Sequence, residues 1–383
     1  MGKTTRYVGM DVHAATIAVA VVEGRGMPRS LGTIENRPEA VRRLLGKLGE
    51  PSQLRVCYEA GPTGYVLYWQ LTKLGVHCEV VAPSLIPVKA GDRVKTDRRD
   101  AEKLARAYRS GDLTAVFVPS AEHEALRDLV RAREAAKKDE LRARHRLGKY
   151  LLRNGRYAPG GCRAWTLTYW RWVRTLVWEH AAQEQTVLDY IAEVEHQGLR
   201  IERLDTAIDK AVESAPEHMK AVIEALQSLR GVAKLTAVTL AVEVGTFRRF
   251  ERAPQLMSYT GMVPSEYSSG DKSRRGAITK AGNNHLRRVL IEAAWHNRHR
   301  PCLSNRQRAV NKHLDPGVVQ IAWDAQLRLN ARYRRLSAKG KPHGKVITAV
   351  ARELVGFIWS VGTRAELAAA NASTKKVTST KAA

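Results

Sequence analysis

Four carboxylates, Asp11, Glu59, Asp97 and Asp100, stand where they can work together. Asp11 lies within Tyr7-Val8-Gly9-Met10-Asp11-Val12-His13, a short apolar run that reads as a strand. Glu59 ends a second such run, Leu54–Glu59. Asp97 and Asp100 are three apart at the start of a helix expected over 97–110, with Thr96 as its cap, so they share a face. A carboxylate on a buried strand costs free energy unless something pairs with it. Acids gathered at one edge of a sheet repel each other unless a divalent cation neutralises them. Oxygen donors of this kind suit magnesium or manganese. Two such ions ~3.5–4 Å apart can activate a nucleophile and stabilise a leaving oxygen in phosphoryl transfer. Each acid also has a plainer use: Asp97 and Asp100 can pair with Arg98, Arg99 or Lys103, and Glu59 can be an ordinary strand-end acid. In this order along the chain, the metal site is the better reading.

A second chemistry is offered by Ser268-Ser269-Gly270, followed by Arg274, Arg275, Lys280, Arg287 and Arg288. The plain reading is a loop that contacts phosphates. The sharper one is a serine nucleophile: a hydroxyl attacks a phosphodiester if Arg and Lys neutralise the developing charge and a base or metal takes the proton. Upstream, Leu229-Arg230-Gly231-Val232-Ala233-Lys234 looks like a helix-hairpin-helix turn, which offers backbone N–H groups to a phosphate. Ala233 stands where a second glycine is usual, and a turn between helices that serves packing alone is the alternative.

Composition narrows the partners. The 383 residues carry 64 Lys+Arg against 38 Asp+Glu, a formal charge of +26. That is too lopsided for an ordinary small-molecule enzyme and predicts a polyanion, most simply DNA or RNA. Gly9-Met10-Asp11 before a hairpin also resembles the first phosphate motif of actin-like sugar kinases, but no convincing pair of a second Asp-x-Gly motif and a Gly-rich adenosine loop accompanies it. Cys57, Cys78, Cys162 and Cys302 are far apart without a C-x-x-C pair, which excludes a zinc ribbon and suits a reducing cytoplasm. No apolar run reaches the ~18 residues of a membrane span, and no signal peptide is evident.

The elements that must position these groups fall into four stretches. Residues 1–118 alternate strands and helices, α/β in character. Residues 119–225 read as long helices: Ser120 opens one, and Arg127 to Arg156 hold 11 Lys/Arg. A Trp-rich stretch follows at Trp165, Trp170, Trp172 and Trp178. Val187, Val194, Ile201 and Ile208 then recur every seven residues, as in a coiled coil or an intramolecular helical hairpin. Residues 226–365 form a mostly helical domain, with 18 Lys/Arg and three acids between Lys272 and Lys345. Residues 366–383, rich in Ala, Ser, Thr and Lys, are expected to be a disordered tail.

Together these motifs resemble the DEDD transposases of the insertion-sequence-one-ten family, also called bridge-RNA-guided recombinases. The resemblance runs through Gly-Met-Asp11-Val-His, Tyr-Glu59-Ala-Gly-Pro-Thr-Gly and Lys-Thr-Asp97-Arg-Arg-Asp100-Ala. It continues through Arg-Gly231-Val, Gly261-x-x-Pro264, Ser269-Gly270, Ile278-x-Lys280-x-Gly282 and Arg287. It implies an RuvC-like domain of RNase H fold whose Asp11, Glu59, Asp97 and Asp100 bind magnesium. It implies a C-terminal transposase domain in which Ser269, with Ser268 as competitor, forms a phosphoserine link to a cleaved strand. It further implies donor and target DNA chosen by a non-coding guide RNA, exchange through a Holliday junction, and dimers assembling into a tetramer in which one protomer's serine completes another's metal site. A prokaryotic, nucleoid-associated setting follows from the same resemblance. A junction-resolving nuclease using only the carboxylates, and a non-catalytic nucleic-acid-binding protein, are the alternatives.

Overall fold

The computed structural model describes residues 5–88, 91, 96–270 and 272–381. They form two compact units, 1–119 and 120–383.

In the first unit the chain runs β1 (Arg6–Val12), β2 (Thr16–Glu23), β3 (Arg29–Glu35), α1 (Pro38–Leu48), β4 (Leu54–Glu59), α2 (Val66–Lys73), β5 (His77–Val81) and α3 (Asp97–Ser110). The strands make one sheet in the order β3-β2-β1-β4-β5. β1 is antiparallel to β2 and parallel to β4. Alternation along the strands sorts side chains between two faces. Val8, Met10, Val56 and Tyr58 pack with Val41 and Leu44 of α1 and Leu71 of α2. The opposite face carries Ala18, Ala20 and Val22 against Ala101 and Ala105 of α3. Small residues there let α3 lie against the strand backbone. A Cβ on Gly9 would sit 2.3 Å from the Ala101 carbonyl oxygen and 2.4 Å from the Ala105 nitrogen. Gly9 therefore sets the approach of α3 to β1, and with it the distance between Asp11 and the start of α3.

The second unit comprises α4 (Ala121–Arg153), α5 (Leu167–Arg174), α6 (Ala181–Glu213), α7 (Glu217–Leu226), α8 (Lys234–Val244), α9 (Ala253–Tyr259), β6 (Pro264–Ser269), β7 (Lys272–Ile278), α10 (Asn284–Ala294), α11 (Asn305–Asn311), α12 (Pro316–Ala338) and α13 (His343–Lys381). α4 and α6 are an antiparallel pair, cross-linked by Arg133–Asp205, Asp139–Arg200 and Arg146–Glu193. The heptad residues fill that seam within one chain. Val187 and Val194 join Leu147 and Tyr150, and Ile208 joins Leu126 and Val130. The Trp-rich stretch closes the far end of the hairpin: Tyr169 and Val173 of α5 are buried there, with Arg144 over Trp165 and Arg156 over Trp178.

The ends of α4 and α6 enter the same core as α7, α8, α10, α12 and α13. The stretches 119–225 and 226–365, separated by composition, thus share one compact unit. The expected disorder of residues 366–383 is corrected through residue 381, because α13 continues to Lys381. Glu366 anchors the start of that extension by accepting from the backbone N–H groups of Phe247 and Arg248. The alanine-rich run beyond it favours helix. Residues 382–383 lie outside the described residues. α13 is long and apolar enough to cross a membrane, yet half of that stretch is buried inside the unit, as in a core helix.

Candidate active site

Asp11 leaves β1 at the end where β4 also stops. Met10 pairs with Tyr58, and Asp11 and Glu59 are the next residues on the two parallel strands, both on the face covered by α3. α3 begins at the same end. Thr96 caps it by accepting from the Arg99 N–H at 3.4 Å, and Asp97 and Asp100 occupy its first turn. The register of a sheet and the cap of a helix thus bring acids from three elements to one edge.

His13 Nε2 lies 3.3 Å from Asp11 Oδ2 and 3.6 Å from Asp97 Oδ2. One ligand atom from each of Asp11, His13 and Asp97 falls within 4.8 Å of the others. Burial raises the Asp11 carboxyl above its ordinary range; His13 opposes this, while the charges of Asp97 and Asp100 add to it. Asp100 is mostly buried and lies 4.0 Å from Lys103 Nζ. The donor set fits a divalent cation: an anion disfavoured by burial and by two neighbouring acids gains most from a +2 charge. Glu59 is exposed at the strand end. His13 is a member of the cluster to which sequence reasoning gave no role. Its spacing, two residues after Asp11 at the end of a strand, was the available signal.

Ser269 belongs to the second unit, at the end of the β6–β7 hairpin, next to Gly270 at φ +56°. The register separates the two serines. Ser269 pairs with Lys272 and Tyr267 with Arg274, so Ser269 shares its face with two cations. Ser268 pairs with Ser273 and shares its face with Glu266, to which its hydroxyl donates at 2.8 Å. Lys272 is a further residue that sequence reasoning left unassigned; only the hairpin register shows it.

The other expected nucleic-acid contacts divide. Arg274 and Arg275 are exposed on β7, Arg275 3.6 Å from Glu266. Lys280 is exposed and adopts φ +55°. Arg287 donates to the Thr260 carbonyl at 2.9 Å and secures the base of the hairpin. Arg288 pairs with Glu134 at 3.2 Å and with Glu292 at 3.1 Å. Gly231 sits in the turn between α7 and α8 at φ +81°, where a Cβ would meet the Ala293 carbonyl oxygen at 2.3 Å. Packing alone therefore requires glycine there.

Comparison with known proteins shows the family. The DEDD transposase family profile of the IS110 type matches residues 8–154, and that of the IS116/IS110/IS902 transposases matches residues 223–308. A putative transposase, y4qE, of Sinorhizobium fredii is 45% identical over 363 residues, 94% of this chain and 89% of the relative. The chain belongs to the IS110 family of transposases. The transposase of insertion sequence element IS1533 from Leptospira borgpetersenii is 34% identical over 88% of this chain and 97% of its own. The pilin gene-inverting protein of Moraxella bovis is 23% identical over 71% of this chain. This transposase is accordingly a metal-dependent enzyme that cuts and recombines DNA, and the DEDD match implies an RNase H-like fold for its first unit.

Proposed function

We propose that this transposase exchanges DNA strands through a covalent serine intermediate. Asp11, Glu59, Asp97 and Asp100 would hold magnesium, or manganese, with His13 beside them. The ion, when bound, supplies charge neutralisation at a phosphoryl oxygen. Ser269 Oγ forms the new bond to phosphorus, the bond to a sugar oxygen breaks, and the proton leaving Oγ ends on that sugar oxygen. One phosphodiester replaces another, so the strand can be resealed without an energy source. Lys272 and Arg274 offset the charge that develops on the phosphorane oxygens.

The observation that carries this reading is the division of the hairpin: Ser269 faces cations, and Ser268 is already bonded to Glu266. We further propose that a non-coding guide RNA pairs with donor and target DNA, that exchange passes through a Holliday junction, and that dimers assemble into tetramers. Base pairing would supply sequence choice, leaving the basic protein to grip backbones.

The test incubates supercoiled donor and target DNA with magnesium, co-expressed flanking RNA and wild type, Ser269→Ala or Ser268→Ala. DNA that stays protein-linked after denaturation in wild type and Ser268→Ala, and is absent from Ser269→Ala, supports the proposal. Cleavage without linkage in all three would instead make the carboxylates a hydrolytic nuclease.

A further inference from the structure

We propose that the second unit carries a phosphate pocket between the 229–233 turn and the 296–307 segment, which takes one backbone phosphodiester of a bound nucleic-acid strand. The inference rests on the reading of this chain as a nucleic-acid enzyme and adds a binding site built from residues other than the four carboxylates and Ser269.

A cavity of about 260 Å³ opens here, walled by Arg230, Ala233, His296, Ser304 and Arg306. That is several times the space of a water molecule, ~30 Å³, and accommodates a phosphate group. Its cations have only neutral partners. Arg230 donates to the Arg300 carbonyl at 2.6 Å and to Gln326 Oε1 at 3.3 Å, and lies 3.8 Å from Cys302 Sγ. Arg306 donates to the Val232 carbonyl at 3.0 Å. Neither meets a carboxylate among the described residues, although most arginines of the α4–α6 pair do. The positive field is felt next door: burial first, then Arg230, His299 and Arg298, lower the pKa of the His296 imidazole.

The pocket also faces an unfinished helix start. α8 has 11 residues, and its N-cap is Ala233, in an extended conformation with no side-chain oxygen to accept from the first turn. Those N–H groups and the helix dipole favour an anion. Gly231, fixed at φ +81° against Ala293, holds the turn rigid beside them. Behind Arg230, Gln326 is 1% exposed, and its Nε2 has no hydrogen-bond partner among the described residues. Two guanidiniums without a carboxylate partner among the described residues, an uncapped helix start and a roomy cavity together suit a phosphate.

The test uses the full chain and fluorescently labelled duplex DNA, single-stranded DNA and single-stranded RNA of one sequence. Anisotropy across a salt series is read alongside thermal melting for wild type, Ala233→Asp, Ala233→Asn and Arg306→Gln. Ala233→Asp caps α8, so its melting temperature stays at or above wild type, while its carboxylate occupies the pocket. Its affinity for at least one of the three strands is expected to fall about tenfold, with the log–log salt slope reduced by ~1. Arg306→Gln should weaken the same strand, and the neutral cap Ala233→Asn should lose about threefold or less. The arm that weakens identifies DNA or RNA as the source of the phosphate. A folded Ala233→Asp that binds all three with wild-type affinity and slope overturns the pocket and leaves the transposase reading standing. Wild type that binds none of the three contradicts both.

Discussion

Replacing Glu134 with glutamine tests how the second unit holds its basic segment in place. Glu134 of α4 is nearly buried, and it accepts from His285 Nδ1 at 2.6 Å, Lys138 Nζ at 2.8 Å and Arg288 at 3.2 Å. Burial alone would raise its pKa, yet the bonds from His285, Lys138 and Arg288 outweigh it and hold the carboxyl down to about 2 against an ordinary 4.5. A folded-state pKa below the unfolded one adds stability that is fully present above about 4.5 and is lost as pH falls towards about 2. At ~1.36 kcal/mol per pKa unit, the shift amounts to at most about 3 kcal/mol at pH 7 and about half that or less at pH 3. Glu134→Gln should therefore unfold more readily by about 2–3 kcal/mol at neutral pH, since Arg288 and Lys138 lose their counter-charge in a half-dry site. Seven of the eight tryptophans lie in the second unit, so urea unfolding followed by tryptophan fluorescence reports it directly. Equal stability of the two proteins within about 0.5 kcal/mol at pH 7, or a gap that does not narrow towards pH 3, would refute the reasoning.

Three further outcomes follow from the geometry. Gly9→Ala should destabilise the first unit by ~3 kcal/mol or more and abolish magnesium-dependent cleavage, because its Cβ meets backbone atoms of α3 that cannot step aside; thermal melting and a cleavage assay check both. Asp11→Asn should raise the metal-free melting temperature slightly at pH 7, since the ionised carboxylate is penalised in the fold, and the gap should close as pH falls and Asp11 protonates. The same variant should lose the stabilisation that wild type gains on adding magnesium. Thr96→Ala should cost ~1 kcal/mol through loss of the α3 cap, and metal affinity measured by calorimetry should weaken as Asp97 loosens.

Local signals were legible where the chemistry is local. The run Leu54–Glu59 and the Thr96 cap define β4 and the start of α3 to the residue. The convergence of Asp11, Asp97 and Asp100 was readable because strand ends and helix starts meet at one edge of an α/β sheet. The hairpin bearing Ser269 was not, because β6 and β7 are polar and exposed on both faces and lack apolar alternation. The heptads suggested a short coiled coil, with an intramolecular hairpin as the alternative; in the structure α4 of the same chain fills their seam. The roles of Arg287 and Arg288 depended on partners 27 and 154 residues away, Thr260 and Glu134, which no window of sequence brings together. The end of α13 was misjudged because its composition resembles a tail, while its anchor at Glu366 is tertiary.

The most direct measurement of the central claim is to map the covalent attachment site. Wild-type protein is trapped on nicked donor DNA with magnesium and flanking RNA, the DNA is digested, and the peptide spanning residues 264–280 is sequenced by mass spectrometry. A nucleotide remnant on Ser269 is the expected result. A remnant on Ser268 or on another residue, or free DNA ends with no remnant at all, would contradict the account.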